Sequence, residues 1–406
     1  MWHPFDNISE ELIDTIVSLC GRRTLASLCL VSKQLNRIAI PYLYANLSLR
    51  ADYDEEGDLV HLLPLAYQIF ASPARAALVK TVALPDGWGG YREAPRIDGL
   101  ERRPWPSFGT PETERLLRTK CHDYALDDKE AERLYEKMIA ADNSDVVITL
   151  LIANLPNLEK LDLNFRGLRD HENFIAMFER IGNRLKPFDS IPLDPLAVSS
   201  DPNPAIALSK PIEVFIRESD PGNTMYLASF FHLPQLRSIY AFKFGDYHSP
   251  PRDSPFALLC PRSCAVQHIE LRDCKLDNVN LQHLVDATIP GQLKTFLYEM
   301  GGAFAWCTID HPAIMRSLEP HQDDLETLEL SHEELYPFEP GWSAELPDKP
   351  FAVSFASFKS LRRLRVAPVF IWGHDGFHVE SEMKKPSSKD MLWQALPECI
   401  EELSVT

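Results

Sequence analysis

The sequence predicts an α/β fold in which three short N-terminal helices precede an array of repeats, each contributing one short parallel strand. Two observations carry this prediction. Apolar residues recur at helical spacing between residues 8 and 39, and a short leucine-rich pattern recurs six times after residue 155. The chain of 406 residues, 45% of them hydrophobic, is long enough for two or three ordinary cores or one extended array.

Composition limits the classes of partner. A net charge of −18 argues against a general nucleic-acid binder, because such proteins need a cationic face to displace counterions from phosphates. No run approaches the roughly 20 apolar residues of a membrane helix, and Glu10, Glu11 and Asp14 interrupt the first apolar stretch where a secretory signal would lie. Eight cysteines without a Cys-x-x-Cys pair favour a reducing compartment. We therefore expect a cytoplasmic or nuclear protein with no nucleic-acid or membrane partner.

The N-terminal helices have recognisable start and stop signals. Ser9, Thr24 and Ser32 are suitable N-caps for three successive helices, and Pro41 is expected to end the third. The middle helix is apolar nearly all round, which is typical of a helix that is buried on every side. Some 35 residues bury too little surface to enclose this much apolar area alone. We therefore expect this unit to complete its core against another body.

The same residues resemble a known family. The order apolar-x-x-Glu-Leu-Ile-x-x-Ile, followed by Leu-x-x-Leu-x-Leu-Val-Ser-Lys-x-Leu, resembles the F-box, which docks on the Skp-family adaptor of SCF ubiquitin ligases. The segment Ile40-Pro41-Tyr42-Leu43-Tyr44 resembles the junction of many fungal F-box proteins. Two residues depart from the family pattern, since Ser9 replaces a usual proline and Leu35 stands where tryptophan is common. The resemblance implies an F-box at residues 1–45, and through the adaptor a cullin-RING ligase as partner. It implies these adaptor contacts: Ile8, Leu12, Ile16, Leu19, Leu28, Val31 and Leu35.

The recurring pattern in the rest of the chain is Leu-x-x-Leu-x-Leu or a near variant. Its copies begin at Leu158, Val266, Leu293, Leu325, Leu361 and Ile400, with a looser copy at Leu233. The second copy continues to Cys274 and Leu276 and so completes the template of a leucine-rich repeat, which this region resembles. Earlier segments near Leu47, Val82 and Val214 are weaker strand candidates. We predict an irregular leucine-rich-repeat solenoid over residues 46–406, with helical or irregular returns and with insertions at about 85–144 and 187–211.

The residues that alternate with the buried positions of these strands are expected to face the concave surface, where a protein substrate would bind. This register would set Arg272 beside Glu299, Arg365 beside Glu329 and Arg363 beside Glu402. The alternative interpretation is that such pairs are cross-strand ion pairs, each contributing about 0.2 to 1 kcal/mol and specifying no ligand. The candidate substrate contacts are Lys160, Asp162, Tyr240, His268, Glu270, Arg272, Glu329, Arg363 and Arg365.

The sequence contains no common catalytic or nucleotide-binding motif: Gly-x-Ser-x-Gly, the Gly-x-x-x-x-Gly-Lys-Ser/Thr loop and His-Glu-x-x-His are all missing. Cys260, Cys264, His268 and Cys274 have a spacing faintly like that of a zinc knuckle, but the repeat template already places Cys274 at its buried Asn/Cys position. We expect no enzyme activity, metal or cofactor. The leading hypothesis is an SCF substrate receptor. A stand-alone repeat scaffold, whose helices are only a cap, and an enzyme with a dispersed site are the alternatives.

Overall fold

The structure is a computed structural model that describes residues 8–48, 62–84, 110–139, 144–165, 171–185, 208, 210, 212–218, 224–233, 235–246, 255–301, 311–332, 354–372 and 394–405. These residues form two compact units, and the division falls between Asp162 and Leu163. The first unit contains the described residues up to 162 together with 208 and 210, and the second contains the rest.

The first unit is mainly helical. It begins with α1 (Glu10–Ser18), α2 (Arg22–Val31), α3 (Lys33–Ala45) and β1 (Asn46–Ser48). It continues with α4 (Leu62–Phe70), α5 (Pro73–Ala76), β2 (Thr81–Leu84), α6 (Pro111–Tyr124), α7 (Asp128–Ile139), α8 (Ser144–Ala153) and the start of β3 (Lys160–Phe165). Strands β1 and β2 pair in parallel with Leu47 opposite Val82, and both side chains are buried. The weak strand predictions at these two positions are therefore confirmed.

The three predicted N-terminal helices are present, although two of their boundaries differ from the prediction. The Ser32 hydroxyl accepts a hydrogen bond from the backbone N–H of Leu35, as expected of an N-cap. Thr24 is not a cap, because α2 begins at Arg22 directly after Gly21. Pro41 does not end α3, which continues to Ala45. The cost of the missing backbone bond is offset because Tyr42 and Leu43, beyond the proline, pack on the core of the three helices.

The predicted insertion at about 85–144 is helical where the structure describes it. Helix α6 starts at Pro111, and the preceding Thr110 hydroxyl accepts a hydrogen bond from the Thr113 N–H at 3.3 Å, which is the capping arrangement that the sequence indicates. Helix α7 starts at Asp128. Residues 85–109, and residues 187–211 apart from 208 and 210, lie outside the described residues.

The second unit alternates strands with helices or short irregular returns. Its elements after β3 are α9 (Glu172–Leu185), β4 (Ile212–Glu218), α10 (Thr224–Phe230), β5 (Leu236–Phe242), β6 (His268–Cys274), α11 (Asn278–Asp286), β7 (Thr295–Met300), α12 (His311–Leu318), β8 (Thr327–His332), β9 (Arg363–Val366), α13 (Pro368–Trp372) and β10 (Glu402–Val405). Each strand from β4 to β10 pairs in parallel with the next one in the chain. Every strand that the repeated pattern predicts is therefore present, and the α/β class with parallel strands is confirmed.

The repeated pattern aligns apolar residues from strand to strand. Ile239, Ile269, Phe296, Leu328 and Leu364 are successive partners across β5 to β9, and all five side chains are buried. Such a column forms because every second residue of a strand points to the same face and the register keeps equivalent positions opposite each other. The residues between them therefore form the opposite face of the same strands.

Cys274 occupies the buried position that the repeat template assigns to asparagine or cysteine. Its side chain is fully buried. The thiol lies 3.7 Å from the Ala241 carbonyl oxygen, and its sulfur is 3.4 Å from the Phe244 backbone nitrogen, so it links the end of β6 to the end of β5 and the turn that follows β5. Burial raises the pKa of the thiol to about 12, so Cys274 is a neutral structural group.

Candidate functional site

The first candidate surface is formed by apolar side chains of the N-terminal helices. Leu12 and Ile16 on α1, Leu19 directly after α1, and Leu30 and Val31 at the end of α2 have between 50% and 89% of their surface exposed. Single exposed leucines are ordinary on protein surfaces, whereas these five apolar side chains lie within twenty positions of one small unit. We call these five residues the exposed apolar set.

The predicted adaptor contacts divide into three groups. Leu12, Ile16, Leu19 and Val31 belong to the exposed apolar set, whereas Ile8 and Leu28 are half-buried against the core of the helices. Leu35 is only 3% exposed and lies inside that core, which corrects the expectation that it contacts a partner. The burial of Leu35 could not be predicted from its place in the sequence, because Leu28, which is half-buried, is likewise a leucine of these helices. Leu30 is the most exposed of the set, yet sequence reasoning did not select it.

The helices that carry the exposed apolar set are held in place without a partner. Their common core consists of Ile13, Val17, Leu25, Leu35, Ile38 and Ala39. Polar bonds connect the helices at their surface: Arg37 donates to Glu10 at 2.6 Å, Tyr42 donates to Asp14 at 2.9 Å, and the Asn36 side chain donates to the Cys29 carbonyl at 2.9 Å. The exposed side chains are therefore presented by a unit whose fold is already formed.

The second candidate surface is the face of β4 to β9 that alternates with the buried columns. The strand register arranges its residues in rows that run across the strands. One row contains Glu213, Ser238 and His268. The next contains Phe215, Tyr240 and Glu270, and the third contains Arg217, Phe242 and Arg272. We call the surface formed by these rows, together with Glu299, Glu329, Arg363 and Arg365, the strand face.

Arg272 is the centre of an ion-pair cluster on the strand face. Its guanidinium bonds to Glu270 at 2.9 Å, to Glu299 at 3.0 Å and to both carboxylate oxygens of Glu329. His268 lies 3.3 Å from the second oxygen of Glu270, and the Ser331 hydroxyl donates to Glu329 at 3.0 Å. The predicted pair of Arg272 with Glu299 is thus confirmed, within a network of three carboxylates.

The cluster is partly withdrawn from water. The Glu329 side chain is 7% exposed and that of Arg272 is 26% exposed. Burial by itself lowers the pKa of Arg272, but the hydrogen bonds that its guanidinium donates to Glu329, Glu270 and Glu299 outweigh this effect, so the pKa lies above its usual value. Arg272 therefore stays charged, and it holds three like-charged carboxylates together.

The remaining predicted substrate contacts occupy separate positions. Arg365 lies opposite Glu329 in the register, with its guanidinium 3.5 Å from that carboxylate, and Arg363 lies opposite Glu402, so both predicted neighbours are confirmed. The Arg363 side chain donates to the Thr327 hydroxyl at 3.1 Å. Lys160 and Asp162 are half-buried positions of β3 in the first unit. The ion pairs around Glu329 and Arg272 fit the structural interpretation that the sequence left open.

Aromatic rings form a short stack on the strand face. The rings of Phe215 and Tyr240 are parallel, with centroids 4.2 Å apart, and the His268 ring lies 4.7 Å from Tyr240 on the next strand. Burial raises the pKa of Tyr240, and the carboxylates of Glu213 and Glu270 raise it further. Sequence reasoning selected Tyr240 and His268 but missed Phe215, because β4 was only a weak strand candidate.

A depression lies between the stack and the third row. Its volume is about 230 Å³, and it is lined by Phe215, Ile216, Arg217, Tyr240, Ala241, Phe242, Glu270 and Arg272. Phe242 remains 42% exposed beside it. The depression is lined mainly by apolar atoms.

The cysteines whose spacing faintly resembles that of a zinc knuckle lie in different environments. Cys260 is exposed, whereas Cys264 is buried with its thiol 3.7 Å from the Leu233 carbonyl oxygen, and Cys274 bonds as described above. Within the described ranges, no three histidine, cysteine or acidic side chains are grouped as metal ligands, and no helix has the length and apolarity needed to cross a membrane.

The sequence matches no family model and no curated protein. Among the solved structures that match is one chain in the crystal structure of the Rad7 and Elc1 complex in yeast, with 12% sequence identity and a TM-score of 0.31, and the match covers 89% of this chain and 82% of that one. At this TM-score the likeness carries no conclusion about function.

Proposed function

We propose that the protein is the substrate-recognition subunit of an SCF-type ubiquitin ligase. In this proposal, the N-terminal helices dock on the Skp-family adaptor and the second unit binds a protein substrate. The observation that carries this proposal is the exposed apolar set, which projects from helices that share a common core. The order of residues in these helices, which resembles the F-box, supports the same partner.

The free energy gained by burying the exposed apolar set favours a partner that is bound permanently or for much of the time. Fully burying a leucine or valine side chain stabilises an assembly by about 1.5–3 kcal/mol, so the exposed part of these five side chains offers energy for docking. A few such anchors generally supply most of the affinity of an interface. We expect Leu12, Leu30 and Val31 to be among them.

In this function the chain performs no bond-making chemistry. The resemblance implies that the RING module and its conjugating enzyme transfer ubiquitin, while this chain supplies proximity and orientation by holding the substrate. The network on the strand face is consistent with a binding role, since Arg272 is engaged by carboxylates and Cys274 is neutral and buried.

A stand-alone scaffold is the second candidate, and one observation favours it. The Arg22 guanidinium donates to the Ser48 carbonyl at 3.0 Å, which ties α2 to β1 within the first unit. A cap of the repeat array would need a bond of this kind. A cap would not, however, need five exposed apolar side chains.

Co-expression with the adaptor distinguishes the two candidates. Wild type, the double variant Leu12→Asp plus Val31→Asp, and the control Leu126→Asp are each co-expressed with a Skp-family adaptor and analysed by pull-down and size exclusion. Leu126 is a matched control because it is also an exposed leucine, at 74%, but lies outside the N-terminal helices. A carboxylate buried without a partner costs several kcal/mol, so the double variant should lose the complex while the control keeps it. Wild type that ignores the adaptor would favour the scaffold.

A further inference from the structure

The depression on the strand face has the size of one side chain. Pockets for small-molecule ligands and cofactors usually measure about 300–1,000 Å³, which is larger than the 230 Å³ available here. Three of the residues that line it are aromatic: Phe215, Tyr240 and Phe242. Concave, aromatic-lined sites of this size are typical of the pockets in which one anchor residue of a protein partner is buried.

The charges around the depression are arranged by row. Glu213 lies in the first row, its side chain is exposed, and its carboxylate acts electrostatically on Tyr240 beside it. Arg217 and Arg272 lie in the third row, on the other wall, and three carboxylates already engage Arg272. The carboxylate that remains available to a partner is therefore at the Glu213 end.

We propose that this depression binds one large apolar side chain of an extended partner segment, and that a lysine or arginine near that side chain pairs with Glu213. Successive rows on one strand are two residues apart, and side chains at i and i+2 of an extended partner have the same spacing. The net charge of −18 favours the approach of a basic segment. This inference adds the chemistry of the substrate to the proposed function. It rests on the proposed function only where it calls the bound segment a substrate.

Peptide selection tests the inference on the full chain. A display library of random peptides of roughly twelve residues is selected on immobilised wild-type protein, and the enriched peptides are synthesised for affinity measurements. The expected peptides share a large apolar residue within about three positions of a lysine or arginine. Enrichment of acidic peptides, of peptides without an apolar anchor, or of none above background would overturn the proposal.

Matched variants locate the binding. Phe242→Ser removes an exposed wall of the depression, and Glu213→Lys reverses the available charge; we expect at least a tenfold loss of affinity from the first and a several-fold loss from the second. The controls are Leu258→Ser, another exposed apolar residue, and Glu319→Lys, another exposed carboxylate, and both should bind within about twofold of wild type. Equal affinity of Phe242→Ser and wild type would contradict the proposal.

Adaptor binding, measured on the same preparations, separates this inference from the proposed function. Peptide binding without adaptor binding would refute only the ligase assignment. Adaptor binding together with a failed selection would refute only the side-chain pocket.

Discussion

The guanidinium of Arg272 on β6 reaches across β7 and forms two hydrogen bonds with the carboxylate of Glu329 on β8. The second of these bonds, from Nη2 to Oε2, is 3.2 Å long, and the two residues are 57 positions apart in the sequence. A side chain on the intervening strand, Glu299, bonds to the same guanidinium. Arg272 therefore connects three consecutive repeats through one charged group.

The first prediction concerns the removal of this charge. Arg272→Ala leaves Glu270, Glu299 and the nearly buried Glu329 without their common cation, so we expect the free energy of unfolding to fall by about 2 kcal/mol. The double variant Arg272→Ala plus Glu329→Leu should recover part of this loss, because it removes the most buried of the carboxylates. Urea denaturation measures both. If Arg272→Ala is as stable as wild type, the cluster does not hold the strands together.

The second prediction separates folding from docking within the N-terminal helices. Leu35→Ala should destabilise the unit by about 2–5 kcal/mol, because it leaves a cavity in the core. Leu30→Ala should leave the unfolding free energy nearly unchanged and weaken adaptor binding, because Leu30 is 89% exposed. Thermal unfolding and adaptor affinity are measured for both variants. A Leu35→Ala protein of normal stability would place Leu35 on the docking surface after all.

The third prediction is a dependence of stability on pH that arises from His171. This side chain is 1% exposed and packs against the rings of Phe165 and Tyr226. Burial disfavours its charged form and lowers its pKa from 6.5 to about 4. The unfolded chain therefore binds a proton at a higher pH than the folded one, so stability is complete above about pH 6.5 and decreases as the pH falls towards 4, by about 3 kcal/mol in total.

His171→Phe is the control for this pH dependence. Phenylalanine keeps an aromatic ring in the cluster and cannot titrate, so the decrease between pH 6.5 and 4 should shrink by the contribution of His171. Other groups also titrate in this range, including the buried His321, whose pKa is lowered by burial. The quantity to compare is therefore the difference between wild type and variant. Parallel stability curves for the two proteins would exclude His171 as the cause.

The fourth prediction concerns the close approach of Gly301 to Asp273. A Cβ atom at position 301 would lie 2.5 Å from the Cα atom of Asp273, which has a left-handed conformation with φ of 51°. Gly301→Ala should therefore cost about 1–3 kcal/mol, because backbone must shift to admit the methyl group. Gly21→Ala is the matched control, since nothing lies within 4 Å of its Cβ position. Equal unfolding midpoints for the two variants would be inconsistent with the described packing.

Much of the fold was predictable because the spacing of apolar residues reports directly on strand burial. The Leu-x-x-Leu-x-Leu copies located β3 and β5 to β10, and the same spacing gave the correct partners for Arg365 and Arg363. The Cys274 position followed from the repeat template. These features depend on residues that are neighbours in a regular register.

Other features depend on contacts that no local pattern encodes. The pair of Arg272 with Glu329 joins strands that are not adjacent, and the register of β6 with β7 shifts between Leu271 and Cys274. The stack of Phe215 on Tyr240 required the register of β4, which itself shifts between Ile212 and Glu213. The burial of Leu35 depends on the angle between helices rather than on its spacing in the sequence.

The most direct test of the account is isothermal titration calorimetry of the purified chain with the Skp-family adaptor at several temperatures. We predict one-to-one binding with a negative heat-capacity change, because docking would bury Leu12, Ile16, Leu19, Leu30 and Val31. The variant Leu12→Asp plus Val31→Asp should give no binding heat. A wild-type chain that gives no heat, or binds with a heat-capacity change near zero, would contradict docking through the exposed apolar set.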